Sequence, residues 1–258
     1  METLKLGSKG DAVKRVQAKV GATQDGDFGP KTEALVKEWQ KRNKLTVDGI
    51  IGPKTWGKMF GLSAEAKAIS DSVVYCPIEK HITVSHNRSI KYIVVHYTAG
   101  FSSEAGRAML TRNVFLNRSA SADFVVDDET IVQINPDLKN RSCWAVGDGN
   151  GKYDITNKNS ISIEMCSTLK PGTSPTASNH DGWSITDAVL KNTIKLIKIL
   201  MQKFDVPISN VVRHYDASRK SCPGLVGWND NWVVDAVTGV RTSKNNSQKW
   251  LEFKARIK

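Results

Sequence analysis

The sequence has no run approaching the ~20 consecutive apolar residues that a membrane-spanning helix requires, so membrane insertion is not expected. Its opening stretch, Met1 to Gly7, carries neither an apolar core region nor a small-residue cleavage site, so no secretory signal is expected and synthesis in the cytoplasm is. A role outside the membrane then needs another way across. Cysteine is sparse: Cys76, Cys143, Cys166 and Cys222 lie at wide, irregular spacing and no two form a CxxC. That pattern reads as reduced thiols or metal ligands, and any metal site must borrow histidines from elsewhere. Zinc-finger spacing, a basic heptad region and an aromatic-plus-glycine RNA-binding signature are all missing, which argues against a nucleic-acid partner. Acidic residues are short too, with 26 Asp and Glu against 37 Lys and Arg, a net charge of +11.

The 258 residues suggest one large domain or two unequal ones, and a hydrophobic fraction of 40% excludes wholesale disorder. A basic excess is either a solvated face or an attraction for a polyanion, among which nucleic acid, an anionic membrane and an anionic cell wall all qualify. Residues 1–60 hold 12 basic and 7 acidic side chains, so the excess is denser there than in the remainder.

An internal repeat occupies that region. Asp25-Gly-Asp-Phe-Gly-Pro-Lys-Thr32 recurs 23 positions later as Asp48-Gly-Ile-Ile-Gly-Pro-Lys-Thr55. Each copy sets Asp-Gly turn chemistry before a Gly-Pro, and proline suits the first helical turn because its missing N–H has no intrahelical partner there. The spacing predicts one helix from about Asp11 with Ala12, Val13, Val16 and Val20 on one face. It predicts a second carrying Ala34, Leu35, Val36, Trp39 and Gln40 before a turn at Asn43, and a short third from Pro53 to Phe60. From Leu6 to Trp56 the segment resembles the three-helix peptidoglycan-binding domain attached to many cell-wall enzymes, and the resemblance implies binding rather than catalysis. The domain is expected to cover residues 1–62, followed by a linker at 63–73.

From about Val74 the pattern turns to strands. Ile90 to Thr98 is a β-branched and aromatic run, and Ala122–Asp127 followed by Ile131–Ile134 reads as a hairpin. Ser160 to Cys166 alternates, with Ile161, Ile163 and Met165 on one face and Ser162, Glu164 and Cys166 on the other. A long amphipathic helix is predicted over Asp187–Phe204, with Val189, Leu190, Ile194, Ile197, Leu200 and Met201 opposite Lys191, Lys195 and Lys198. A final helix is expected at about Gln248–Ile257. The expected architecture is α/β, a mixed central sheet flanked by helices over residues 74–258, preceded by the small all-α domain.

Metal-capable side chains close two of the β segments: His96 ends Ile93-Val-Val-His and His214 ends Val211-Val-Arg-His. Cys222 follows eight residues after His214. Two imidazoles and a thiolate suit Zn²⁺, and three protein ligands leave a fourth position for water, as catalytic zinc sites require. Singly, each residue has a duller explanation as hydrogen-bonded core or small buried hydrophobe. His81, His86 and His180 lack this setting and receive no role.

In order along the chain stand Tyr92-Ile-Val-Val-His-Tyr-Thr-Ala99, Ser121-Ala-Asp-Phe-Val-Val-Asp-Asp128, Trp144-Ala-Val-Gly-Asp-Gly-Asn-Gly151, Asn159-Ser-Ile-Ser-Ile-Glu-Met-Cys166 and Val212-Arg-His-Tyr-Asp-Ala-Ser-Arg-Lys-Ser-Cys-Pro-Gly224. Through these motifs the region from Val74 onward resembles the zinc-dependent N-acetylmuramoyl-L-alanine amidases of phage endolysins and bacterial autolysins, relatives of the peptidoglycan recognition proteins. The resemblance implies that His96, His214 and Cys222 are zinc ligands, that Glu164 is the acid working beside the metal, and that Lys220 faces the reacting carbonyl. Departures lie at Ala145, Asp123 and Phe124, where the family often carries histidine, histidine and tyrosine; they bear on substrate contacts at that rim. Asp216 either orients a ligand or caps its loop. Leu225 to Ser247 either shapes the cleft or is an exposed insertion.

The implied activity is hydrolysis of the amide between N-acetylmuramic acid and L-alanine of the stem peptide. The implied partner is bacterial peptidoglycan and the implied form a monomer. The implied setting is a phage or prophage endolysin, made in the host cytoplasm and acting on the wall after release. The alternatives are a non-catalytic peptidoglycan receptor on the same fold, a structural zinc domain, and a host autolysin of the same chemistry.

Overall fold

The computed structural model describes residues 3–52, 55, 58–59, 73–99, 107–173, 181–235, 238–244 and 246–257. Residues 63–72 of the expected 63–73 linker, most of the expected third helix and His180 lie outside these residues, although Thr55, Lys58 and Met59 are helical. The chain divides into two compact units, Met1–Ala64 and Glu65–Lys258.

In the first unit, α1 (Asp11–Val20) closes on Gly21, whose left-handed φ of 77° lets its N–H reach back to Gln17. Helix α2 (Pro30–Arg42) begins on proline. Val13, Val16, Val20 and Val36 pack with Leu4, Phe28, Ile51 and Met59 into one core. The sequence repeat is also a hydrogen-bond repeat. Gln17, buried on α1, donates through Nε2 to Asp25 Oδ1 (2.7 Å), the Asp27 carbonyl (2.9 Å) and Thr32 Oγ1 (3.2 Å), and its Oε1 accepts from Gly26 N. Gln40 on α2 does the same with Asp48 Oδ1 (2.8 Å), the Ile50 carbonyl (2.9 Å), Thr55 Oγ1 (3.3 Å) and Gly49 N. Each turn is therefore clamped to the preceding helix by one buried amide, which satisfies groups that burial alone would orphan.

The strands of the second unit are β1 (Val74–Tyr75), β2 (Ile82–Val84), β3 (Tyr92–Tyr97), β4 (Phe124–Val126), β5 (Ile131–Gln133), β6 (Arg141–Cys143), β7 (Ser160–Met165), β8 (Thr168–Leu169), β9 (Trp183–Ser184), β10 (Val211–Arg213), β11 (Trp232–Val234) and β12 (Arg241–Lys244). The central sheet runs β1-β5-β4-β7-β3-β10. Its strands pair in parallel except for the expected β4–β5 hairpin. The helices are α3 (Arg107–Val114), α4 (Asp187–Phe204), α5 (His214–Ser218) and α6 (Gln248–Ala255).

One face of the sheet presents Ile93, Val95, Ile161, Ile163 and Met165 to α4 and α6. The opposite face meets α3 through Val125 and Cys166 and α5 through Val94 and Ala217. Parallel strands are covered on both sides in this way, so the face expected to be polar, with Ser162 and Cys166, is buried as well. Burying each large aliphatic side chain contributes about 1.5–3 kcal/mol. A one-residue slip of β7 would exchange its isoleucines for Ser162 and Glu164, so the core pins Glu164 to the side where α3 and α5 lie.

Candidate metal centre and active site

Three neighbouring strands bring the site together. His96 in β3 has Glu164 in β7 as its register partner, and β10 pairs in parallel on the other side of β3. Strand β10 ends at Arg213, so His214, expected at a strand end, instead opens α5. Asp216, in the first turn of α5, accepts from the N-cap residue Arg213 at its backbone N (2.8 Å) and pairs with the Arg213 guanidinium, so it closes the start of that helix. After α5 the chain reverses through Arg219 at a left-handed φ of 65°. Tyr215 N then donates to the Cys222 carbonyl at 2.9 Å, setting the thiol beside the imidazoles.

The donor atoms of His96, His214 and Cys222 all lie within 4.8 Å of one another, and all three residues are buried. The imidazole centroids are 4.6 Å apart, and Cys222 Sγ is 3.8 Å from His96 Nδ1. His96 Nε2 and Glu164 Oε2 are buried without a hydrogen-bond partner. Burial, reinforced by the neighbouring His214, holds the His96 pKa well below the ordinary histidine value; burial also lowers His214, against the opposing pull of Asp148. Both imidazoles are thus kept neutral, the form that ligates. Burial raises the Cys222 thiol and lifts Glu164 to about 8, with Arg118 and Lys220 pulling Glu164 the other way. Neutral imidazoles, a thiol that a cation would ionise and an orphaned buried nitrogen together fit a borderline-soft divalent metal.

The cleft, about 200 Å³, is also lined by Lys220, Arg118, Thr111, Trp144 and Ala145. Lys220 is more than half exposed, and its Nζ stands 3.6 Å from Asp148 Oδ2. Trp144 is exposed, with its indole N–H donating to Thr83 Oγ1 at 2.8 Å and its ring 5.4 Å from that of His81. Ala145 does lie at the rim. Asp123 does not: it is buried, accepts from Ser162 N at 2.8 Å and Asn135 Nδ2 at 2.5 Å, and lies 3.7 Å from the buried guanidinium of Arg88. Its placement at the substrate rim is corrected, because the carboxylate is used to knit the start of β4 to β7. Phe124 likewise packs in the core on the other face.

Sequence reasoning passed over Asp148, whose Oδ1 accepts from His214 Nε2 at 2.7 Å, and Arg118. The only sequence signal for Asp148 was its place in the Trp144–Gly151 motif. The 225–247 segment contributes Asn229, which is buried and donates to the Pro223 carbonyl at 2.5 Å, and Asn231, which donates to Ser221 Oγ. It therefore buttresses the Cys222 loop from behind. The four cysteines are free thiols.

A family model described as N-acetylmuramoyl-L-alanine amidase matches residues 86–225, and one described as a putative peptidoglycan binding domain matches residues 10–59. Among curated relatives, the N-acetylmuramoyl-L-alanine amidase CwlA of a Bacillus species is 31% identical over 150 residues, covering 55% of this chain and 53% of the relative. CwlH of Bacillus subtilis (strain 168), named for the same activity, is 33% identical over 159 residues, covering 60% of this chain and 56% of the relative. The chain thus spans about half the length of these relatives. A solved structure, a mutant endolysin from Bacillus subtilis, aligns with a TM-score of 0.48 at 28% identity over 72% of this chain and 98% of that one. With more than half of its length matched by the amidase model, this chain belongs to the N-acetylmuramoyl-L-alanine amidase family.

Proposed function

We propose that the chain is a peptidoglycan hydrolase that cleaves the amide between the lactyl group of N-acetylmuramic acid and the first L-alanine of the stem peptide. The observation that carries this reading is the convergence of His96, His214 and Cys222 within 4.8 Å beside a carboxyl whose Oε2 is buried and unpartnered. One Zn²⁺ held by those three residues would supply Lewis acidity and a water whose pKa falls to about 7.

Glu164 is the proton carrier. In its ionised form, which a bound cation beside it would favour, the carboxylate takes a proton at Oε2 from the attacking water and returns it to the departing alanine nitrogen. Lys220 Nζ, at the mouth of the cleft, donates to the scissile carbonyl oxygen as negative charge builds there. Thr111 and Val114 of α3 also line the cleft. Trp144 and Arg118 form the rim that receives the substrate.

Residues 1–62 bind peptidoglycan, residues 63–73 link the two parts, and residues 74–258 are catalytic. The N-terminal part raises the local concentration of wall at the site, a gain that requires the linker to permit both contacts at once. The protein acts as a monomer on the cell wall, with peptidoglycan and not nucleic acid as its partner, in the manner of a phage or prophage endolysin. Among the described residues no helix is long and apolar enough to cross a membrane. The test is to measure the zinc content of the purified chain and to digest murein sacculi, with mass spectrometry of the released muropeptides. Stoichiometric zinc and new N-terminal alanines are the expected result. No zinc and no new amino termini would leave a non-catalytic receptor.

A further inference from the structure

The segment between Trp144 and Gly151 is held more firmly than a surface turn needs to be. At its start, Ala145 N and Val146 N both donate to Asn157 Oδ1, at 3.0 and 2.8 Å. Val146 is fully buried against Ala217 of α5. A 3-10 turn, Gly147–Gly149, follows, and it lies so close to α5 that a Cβ on Gly149 would stand 2.3 Å from the Ala217 carbonyl oxygen. Asp148 sits in the middle of that turn, between the two anchors. One of its oxygens meets His214 Nε2 at 2.7 Å and the other faces Lys220 Nζ at 3.6 Å.

We propose that Asp148 is a positioning residue that fixes the proton of His214 on Nε2 and so presents Nδ1 to the metal-capable cluster. A neutral imidazole carries one proton on either nitrogen, and the hydrogen bond made by one nitrogen decides which lone pair the other offers. A carboxylate oxygen accepts only, so the nitrogen it faces must be the protonated one. Partners of this kind commonly carry a factor of 10 to 100 in metal affinity, on the order of that seen when such outer contacts are removed. The Lys220 contact is an exposed pair and adds little by comparison. The effect lies with His214, whose side chain is only 4% exposed. The metal arm of this inference rests on the zinc reading of His214; the tautomer arm does not.

The test begins with the metal-free full-length chain. Long-range proton–nitrogen NMR of its histidines should show the His214 proton on Nε2. In D148A the signal should become a mixture of both tautomers, and zinc affinity measured by chelator competition should fall about 10- to 100-fold. D148N should restore the Nε2–H tautomer and most of the affinity, because the asparagine side-chain oxygen still accepts; a merely structural role would not follow the acceptor in this way. A wild-type His214 protonated on Nδ1, or a D148A chain with unchanged tautomer and affinity, overturns the proposal. If D148A does not fold, the wild-type and D148N spectra decide it. A wild-type chain that binds no zinc, yet loses the Nε2–H form in D148A, would sink the amidase reading while supporting the role of Asp148.

Discussion

His96 and Glu164 are register partners on adjacent parallel strands, and each holds one buried polar atom without a hydrogen bond: Nε2 on the histidine, Oε2 on the glutamate. Leaving such an atom unpaired costs about 1–3 kcal/mol. Two neighbouring orphans on the same face of one sheet mark a place where stability is given up for chemistry.

Replacing Glu164 with Gln keeps the shape and removes the proposed proton carrier. The E164Q chain should retain its zinc and its fold while hydrolysis falls by about 10²–10⁴-fold, the range for losing a general acid–base group. Zinc analysis alongside muropeptide release checks both halves. Wild-type turnover in E164Q would remove Glu164 from the proton-transfer role.

Removing a proposed ligand acts differently. C222S should lose zinc retention under mild chelation. The rise in Tm that added zinc produces in the wild-type chain should shrink with it, since a metal stabilises only the state that binds it. Differential scanning fluorimetry with and without chelator reads this directly.

The raised Glu164 pKa has a stability consequence in the zinc-stripped protein. The folded carboxyl keeps its proton up to about 8, whereas the unfolded one releases it near the ordinary value of 4.5. Between those values the folded state binds more protons, so its stability should fall as pH rises through the window. The stability difference between wild type and E164Q, followed by urea denaturation, should decline from pH 4.5 to 8 and level off beyond. The two low-pKa histidines act in the opposite sense below about 6.5, and they cancel in this difference because both proteins carry them.

In the N-terminal unit, Q17A and Q40A should each destabilise by about 1–3 kcal/mol, because truncating the clamp leaves buried partners unpaired. Q17E should fare no better, since it sets a carboxylate against Asp25. The hydrogen bonds from Asp27 N and Ile50 N depress the pKa of Asp25 and Asp48 respectively. Their contribution is therefore present above the unfolded value of about 3.9 and is lost as pH falls through the lower folded one. A carboxyl-detected NMR titration should place both below ordinary aspartate.

The basic excess should express itself as salt sensitivity. Activity on whole walls should drop between low and high ionic strength, whereas activity on small soluble muropeptides should change less, because long-range attraction to an anionic wall is screened over a Debye length of about 8–10 Å. Equal salt responses for the two substrates would remove the charge from the account.

The sequence by itself determined most of the elements and singled out His96, His214 and Cys222 as metal-capable side chains. Alternation over Ser160–Met165 implied a strand with Glu164 opposite its isoleucines, and the spacing of apolar residues over Asp187–Phe204 implied the long helix; both follow from local periodicity, which survives without knowledge of neighbours. The repeat around Asp25 and Asp48 was legible as turn chemistry, but its purpose was not. Gln17 sits among Val13, Val16 and Val20 and Gln40 beside Val36, but local spacing names no partner for a polar group on an apolar face, and only folding shows that each amide is buried against a turn. Asp123 was misjudged for the same reason, since the Arg88 that pairs with it is 35 positions away in the chain. Asp148 and His214 are separated by 66 positions, and no local pattern joins them. The partners of buried polar groups were decided by the tertiary structure alone, because hydrogen-bond satisfaction depends on which segments the hydrophobic core brings side by side.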